Sequence, residues 1–155
     1  DYRNNFKGVR AKSTKTNFTI YGSIDDIWLN KDTNEVVILD YKATSTKEKI
    51  NYVTSSKSYH KSYLRQLDFY AYLLKKMGFE VCESSYFLVC NADRDADGFY
   101  GKLEFSETLV EYKWNIDWIE EKLEEMLNTL NKDEVPQSNS SCMNCAYFEQ
   151  RSKRN

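Results

Sequence analysis

Two stretches decide the fold: Thr19 to Leu29, TIYGSIDDIWL, and Glu35 to Lys42, EVVILDYK. Both are rich in β-branched and aromatic residues, and the polar NKDTN between them predicts an antiparallel hairpin. With the turn centred between Asp32 and Thr33, positions whose numbers sum to 65 face one another, so Asp25 stands opposite Asp40. Two like charges directly across a strand pair repel. A hard divalent ion between them reverses the sign, because such ions favour carboxylate oxygens and water. Lys42 lies two residues beyond Asp40, on the same face of its strand. Val36 to Leu39 is uninterrupted apolar sequence, typical of a strand buried on both faces, and its end turns abruptly charged.

Working outward, apolar residues from Tyr59 to Met77 recur at helical spacing (Tyr63, Leu67, Tyr70, Leu74, Met77), and Gly78 fits a C-terminal stop. Glu83 to Asn91 reads as a buried strand, with Leu103 to Phe105 pairing beside it. Asn115 to Leu130 predicts a second helix, with Trp118, Ile119, Leu123, Met126, Leu127 and Leu130 on one face and glutamates largely on the other. After Pro136 comes the polar linker QSNSS and a short tail bearing Cys142 and Cys145. The expectation is an α/β fold: a mixed sheet with helices against it, residues 1–135 forming the core and 136–155 the linker and tail.

The 155 residues suit one domain, and 22 basic against 24 acidic side chains give a net charge of -2. That sum hides an asymmetry. Residues 1–65 carry 12 Lys and Arg against 7 Asp and Glu, and the remainder carries 10 against 17. A basic half can follow a phosphate backbone. The single histidine, His60, excludes zinc sites built on several imidazoles. Neither a phosphate-cradling G-x-x-x-x-G-K-[ST] nor a dinucleotide-binding G-x-G-x-x-G is present. No apolar run is long enough to span a membrane, and no signal-peptide pattern is seen, so the expected location is cytoplasmic.

Two carboxylates and an ammonium on one strand face suit phosphodiester hydrolysis. A bound metal acidifies water and offsets charge in the transition state, while a lysine orients the nucleophile or steadies the phosphate. The ordered set G-S-I-D (Gly22 to Asp25), L-D-Y-K (Leu39 to Lys42) and Q-L-D-F-Y-A-Y-L-L (Gln66 to Leu74) resembles the signature of the PD-(D/E)XK nuclease superfamily. Within it, the set is similar to the RecB-like branch that includes CRISPR-associated exonucleases. The resemblance runs over about residues 19–75 and implies a restriction-endonuclease-like core with an antiparallel catalytic hairpin flanked by helices. It implies metal ligands at Asp25, Asp40 and the backbone carbonyl of Tyr41, a catalytic lysine at Lys42, and a helix motif of Gln66 and Tyr70, one turn apart. Mg2+ or Mn2+ is the implied cofactor and DNA the implied substrate. Asp26 competes with Asp25, but strand alternation turns it away from Asp40. In that branch a helix usually precedes the first strand; only 18 residues precede Thr19 here, so a core lacking that helix, or trimmed of it, is expected.

Lys47, Lys49, Lys57, His60, Lys61 and Arg65 follow the catalytic strand, interleaved with tyrosines, and form a candidate nucleic-acid-binding segment. Cys142-Met-Asn-Cys145 is a C-x-x-C. Four thiolates hold an iron–sulfur cluster, so the pair reads as a half-site for such a cluster or Zn2+, with further ligands outside this chain. Asp93, Asp95, Asp97, Gly98 and Glu104 match the calcium-loop expression D-x-D-x-D-G-x5-E. Its flanks read as strands where helices are needed, so an acidic hairpin loop is expected instead. The reading of a different class is a catalytically inactive nucleic-acid-binding or assembly module with a nuclease fold; an intact Asp25, Asp40 and Lys42 argues for catalysis.

Overall fold

The computed structural model describes residues 8–98 and 100–153. Its strands are β1 (Val9–Lys12), β2 (Thr19–Gly22), β3 (Asp26–Leu29), β4 (Val36–Thr44), β5 (Ser84–Ala92) and β6 (Phe105–Lys113); its helices are α1 (Ser58–Lys76), α2 (Ile119–Leu130) and α3 (Met143–Ser152). β3-β4-β5-β6 make a mixed four-stranded sheet, with β4 and β5 parallel, and β1-β2 form a separate hairpin. The fold is α/β, as expected.

The β3-β4 register is the expected one: Asp26 pairs with Leu39 and Leu29 with Val36. Asn30 closes the turn. Its side-chain Oδ1 accepts the Asp32 N–H at 3.0 Å, its carbonyl accepts the Asn34 N–H at 2.8 Å, and Asn34 takes the left-handed conformation at φ 59°. Asparagine suits both roles.

Thr19 to Leu29 is two strands, not one. Ser23 to Asp25 lie within the β-rich stretch, but their backbone leaves the ladder as Ile24 drops fully into the core. The strand beside β5 is also longer than Leu103 to Phe105 and begins where that stretch ends. β6 alternates partly buried Thr108, Val110 and Tyr112 with exposed Leu109, Glu111 and Lys113.

α1 covers the sheet face that carries Ile38, Phe87 and Val89, and it packs on β1 and β2 as well. It stops at Gly78 (φ 89°), whose N–H reaches the Lys75 carbonyl at 3.0 Å while Phe79 reaches Leu74 at 3.0 Å. This pair of bonds satisfies the last carbonyls of the helix. α2 begins at Ile119, four residues later than its apolar pattern suggests, because Asn115 is spent on a turn: its N–H goes to Asp68 and its Oδ1 accepts from Asp117. Only Ile119 and Leu123 of α2 are buried, and Met126 and Leu130 are exposed, so its apolar face is covered at one end only. The cysteine-bearing tail forms a helix, α3, with no buried residue.

Two carboxylates tie these pieces together. Asp68 on α1 is buried and accepts from Tyr112 Oη (2.9 Å), the Asn115 N–H (2.9 Å) and Trp118 Nε1 (3.0 Å), linking α1 to β6 and to the start of α2. Glu120 accepts from Ser13 Oγ (2.6 Å), the Thr14 N–H (3.0 Å) and Tyr72 Oη (2.5 Å), fastening α2 to the β1-β2 turn and to α1.

Candidate active site

β4 places Ile38, Asp40 and Lys42 on the face beneath α1. Asp40 is fully buried beside its β5 partner Phe87. Its Oδ2 is held by the ion pair with Lys42 Nζ, and Oδ1 has no hydrogen-bond partner. Burial raises the Asp40 pKa above the ordinary carboxylate value. The Lys42 hydrogen bond and charge pull it back, and the adjoining Asp25 pushes it up again.

Asp25 reaches this site from the break between β2 and β3. Its Oδ2 accepts the Tyr41 backbone N–H at 2.9 Å, a bond that a continued β3 backbone would have made. The side chain thereby stands at the end of the hairpin, next to Asp40. Asp26 goes to the other face, as alternation requires: its Oδ2 accepts from the Tyr41 hydroxyl at 2.5 Å.

Lys42 is held from three directions. Besides Asp40, its Nζ donates to Gln66 Oε1 at 3.3 Å and lies 4.5 Å from the centroid of the Tyr63 ring. Gln66 Nε2 in turn donates to Tyr70 Oη at 2.8 Å, and Tyr70 Oη donates to the Ser23 carbonyl at 2.5 Å. This relay ties Lys42 to the segment that carries Asp25. Gly22 makes room for it, since a Cβ there would lie 3.0 Å from Tyr70 Cε1. Asp25, Asp40, Tyr41, Lys42, Gln66 and Tyr70 are thus brought together.

The chain matches the sequence profile of the PD-(D/E)XK nuclease superfamily over residues 3–150. It belongs to the PD-(D/E)XK nuclease superfamily. Neither curated proteins nor solved structures returned a match. Membership makes the chain a nuclease by family, and nucleases of this superfamily typically use divalent metals. Among the described residues, no group of three or more His, Cys, Asp and Glu side chains converges as a metal site. The site still fits a hard divalent cation. Two adjoining carboxylates, one of them buried with its Oδ1 unpartnered, are the oxygen donors that Mg2+ takes, with water and substrate phosphate completing its shell.

The other candidates fall into separate places. Lys49, Lys57 and His60 line a cavity that also touches Lys42. Lys57 pairs with Glu48 at 2.5 Å. Burial, and next the Lys57 charge, lower the His60 pKa. Lys47 pairs instead with Asp95 at 2.6 Å in a hollow beside the 93–104 loop. Lys61 and Arg65 are exposed on α1 and line neither. The 93–104 loop joins β5 to β6, so strands flank it, as expected; its Phe99 lies outside the described residues.

Cys142 Sγ accepts the Cys145 N–H at 3.3 Å at the start of α3. A hydrogen bond from Cys145 holds the Cys142 thiol below its ordinary pKa. No helix among the described residues is long and apolar enough to cross a membrane.

Sequence reading passed over two contributors. Tyr63 was assigned to the apolar stripe of α1, and the Ser23 carbonyl carries no side-chain signal. The cue for Tyr63 is its place three residues before Gln66, on the same helix face.

Proposed function

We propose that the protein is a metal-dependent nuclease that hydrolyses DNA phosphodiester bonds, of the RecB-like exonuclease type. The observation that carries this is Asp40: a fully buried carboxylate that has Lys42 on one oxygen, no hydrogen-bond partner on the other, and the like charge of Asp25 beside it. Burying a charge so incompletely compensated costs stability, and a cation bound between the two aspartates would offset that cost.

In this reading Asp25 and Asp40 hold Mg2+ or Mn2+, with the Tyr41 carbonyl as a further ligand. A strand residue directs its N–H and C=O to the same side, and the Tyr41 N–H already faces Asp25. The cation, when bound, acidifies a water and neutralises charge on the scissile phosphate. Lys42 is held in place by Asp40, Gln66 and the Tyr63 ring. It donates to a phosphoryl oxygen or orients the attacking water. Gln66 and Tyr70 keep Lys42 and the Asp25 segment in register. Residues 1–135 serve as the nuclease core, and 136–155 as a linker and tail whose Cys142 and Cys145 offer half of a four-thiolate site for an iron–sulfur cluster or Zn2+.

The test is incubation of linear single- and double-stranded DNA with the protein in Mg2+, Mn2+ or EDTA. Metal-dependent shortening from the ends supports the proposal. Binding without cleavage in any metal would instead favour a nucleic-acid-binding module.

A further inference from the structure

Beside Lys42 lies a cavity of about 110 Å³, walled by the 44–57 loop and the first turn of α1. Its size admits several waters or one tetrahedral phosphate. The wall carries three lysines, Lys42, Lys49 and Lys57, against one carboxylate, Glu48; Glu48 pairs with Lys57, and Lys42 is paired with Asp40 behind the wall. Two further features mark it as an anion site. α1 starts without a side-chain cap, with a lysine at the N-cap and no acidic residue in its first turn. The nineteen-residue helix therefore directs a partial positive charge to that end, where the His60 N–H is taken by the Lys57 carbonyl at 3.1 Å and no side chain caps the other first-turn amides. Lys57, Tyr59 and His60, from the N-cap and first turn, line the cavity. His60 is only 9% exposed, and its Nδ1 is buried with no partner.

We infer that this cavity binds a phosphate borne on a sugar, the phosphorylated end of a nucleic-acid strand. Lys57, Lys49 and the amides of the α1 N-terminus receive the anion. The His60 imidazole, packed between Tyr52 and Tyr59 at ring-centroid distances of 4.6 Å and 4.3 Å, supplies a further polar contact. Because Lys42 belongs both to this wall and to the catalytic group, an end seated here lies beside the bond to be cut. The strand as ligand rests on the nuclease reading; the anion chemistry of the cavity does not.

The experiment measures fluorescence anisotropy of short labelled single-stranded DNAs in EDTA. They bear a 5′-phosphate, a 3′-phosphate or only hydroxyl ends, and inorganic phosphate and thymidine monophosphate are the competitors. One phosphorylated end is expected to bind at least about tenfold tighter than the hydroxyl-ended strand, the scale of charge-assisted hydrogen bonds. Lys49→Gln with Lys57→Gln should abolish that preference, and His60→Phe, which keeps the ring packing, should reduce it. Equal affinity for all ends, or a preference surviving the double lysine substitution, would overturn the inference. Inorganic phosphate competing as well as the nucleotide would overturn the strand end as ligand. Cleavage of the same strands in Mn2+ separates the two claims. Cutting without an end preference sinks this site and spares the nuclease, whereas an end preference without cutting sinks the nuclease and spares the site.

Discussion

The Asp25 carboxylate accepts the backbone N–H of Tyr41 at 2.9 Å, so a side chain completes the hairpin ladder at the point where β3 leaves it. One residue therefore has two duties, closing the strand pair with one oxygen and facing Asp40 as a charge.

The two duties separate by substitution. Asp25→Asn keeps an acceptor for Tyr41 but removes the charge, and is expected to melt within about 2 °C of wild type while losing at least about a hundredfold in cleavage rate. Asp25→Ala removes both and should also lose about 1 kcal/mol of stability, the scale of one hydrogen bond. Calorimetry and cleavage rates on the same preparations check the split. Equal stability of the two variants would show that the Tyr41 bond carries no weight.

Tyr70 acts through the relay from Ser23 to Lys42. Tyr70→Phe keeps the ring that packs against Gly22 and removes the hydroxyl that holds both the Ser23 carbonyl and Gln66. Cleavage is expected to fall about tenfold through kcat, with DNA affinity in EDTA unchanged. A fall in affinity with an unchanged kcat would assign Tyr70 to binding instead.

Much of this site was legible in the sequence because strand period and hairpin register are rigid rules. Once Asp32 and Thr33 mark the turn, the register that pairs Asp26 with Leu39 follows; Asp25 and Asp40 lie just past its end, and Lys42 shares the face of Asp40. The break at Ser23 was not legible, since it lies inside a stretch that as a whole is rich in β-branched and aromatic residues. What interrupts it is tertiary: Tyr70 and Asp25 take over bonds that the backbone would have made. β6 was read only at its start because its alternation is crowded with charges. The basic residues after β4 formed one group in the sequence, but loop path and helix phase part them. Lys49 and Lys57 face the cavity beside Lys42, and Lys47 faces Asp95.

Glu120 ties α2 to the β1-β2 turn and to α1 through its charged form. Burial alone would raise its pKa, but hydrogen bonds from Ser13, Tyr72 and Thr14 outweigh it and hold the carboxyl well below the ordinary glutamate value. With the folded-state pKa depressed, its contribution is complete above the unfolded value of about 4.3 and fades as pH falls below it. Wild type should lose stability on acidification from pH 5, and Glu120→Gln should cost about 2 kcal/mol at pH 7 but flatten that dependence. Urea unfolding across pH checks both. An unchanged slope in the variant would assign the acid sensitivity to another carboxylate.

Asp40 is the centre of the account. The Asp40→Asn side chain has the same shape without the charge but gives up the ion pair with Lys42, so its melting in EDTA is recorded beside wild type to separate lost folding from lost activity. The decisive measurement is the rate of linear DNA cleavage in Mn2+ by wild type and Asp40→Asn, on protein whose melting has been recorded. The account predicts metal-dependent cleavage by wild type and a loss of at least about a thousandfold in the variant. Cleavage by a well-folded Asp40→Asn protein within about tenfold of wild type would contradict it.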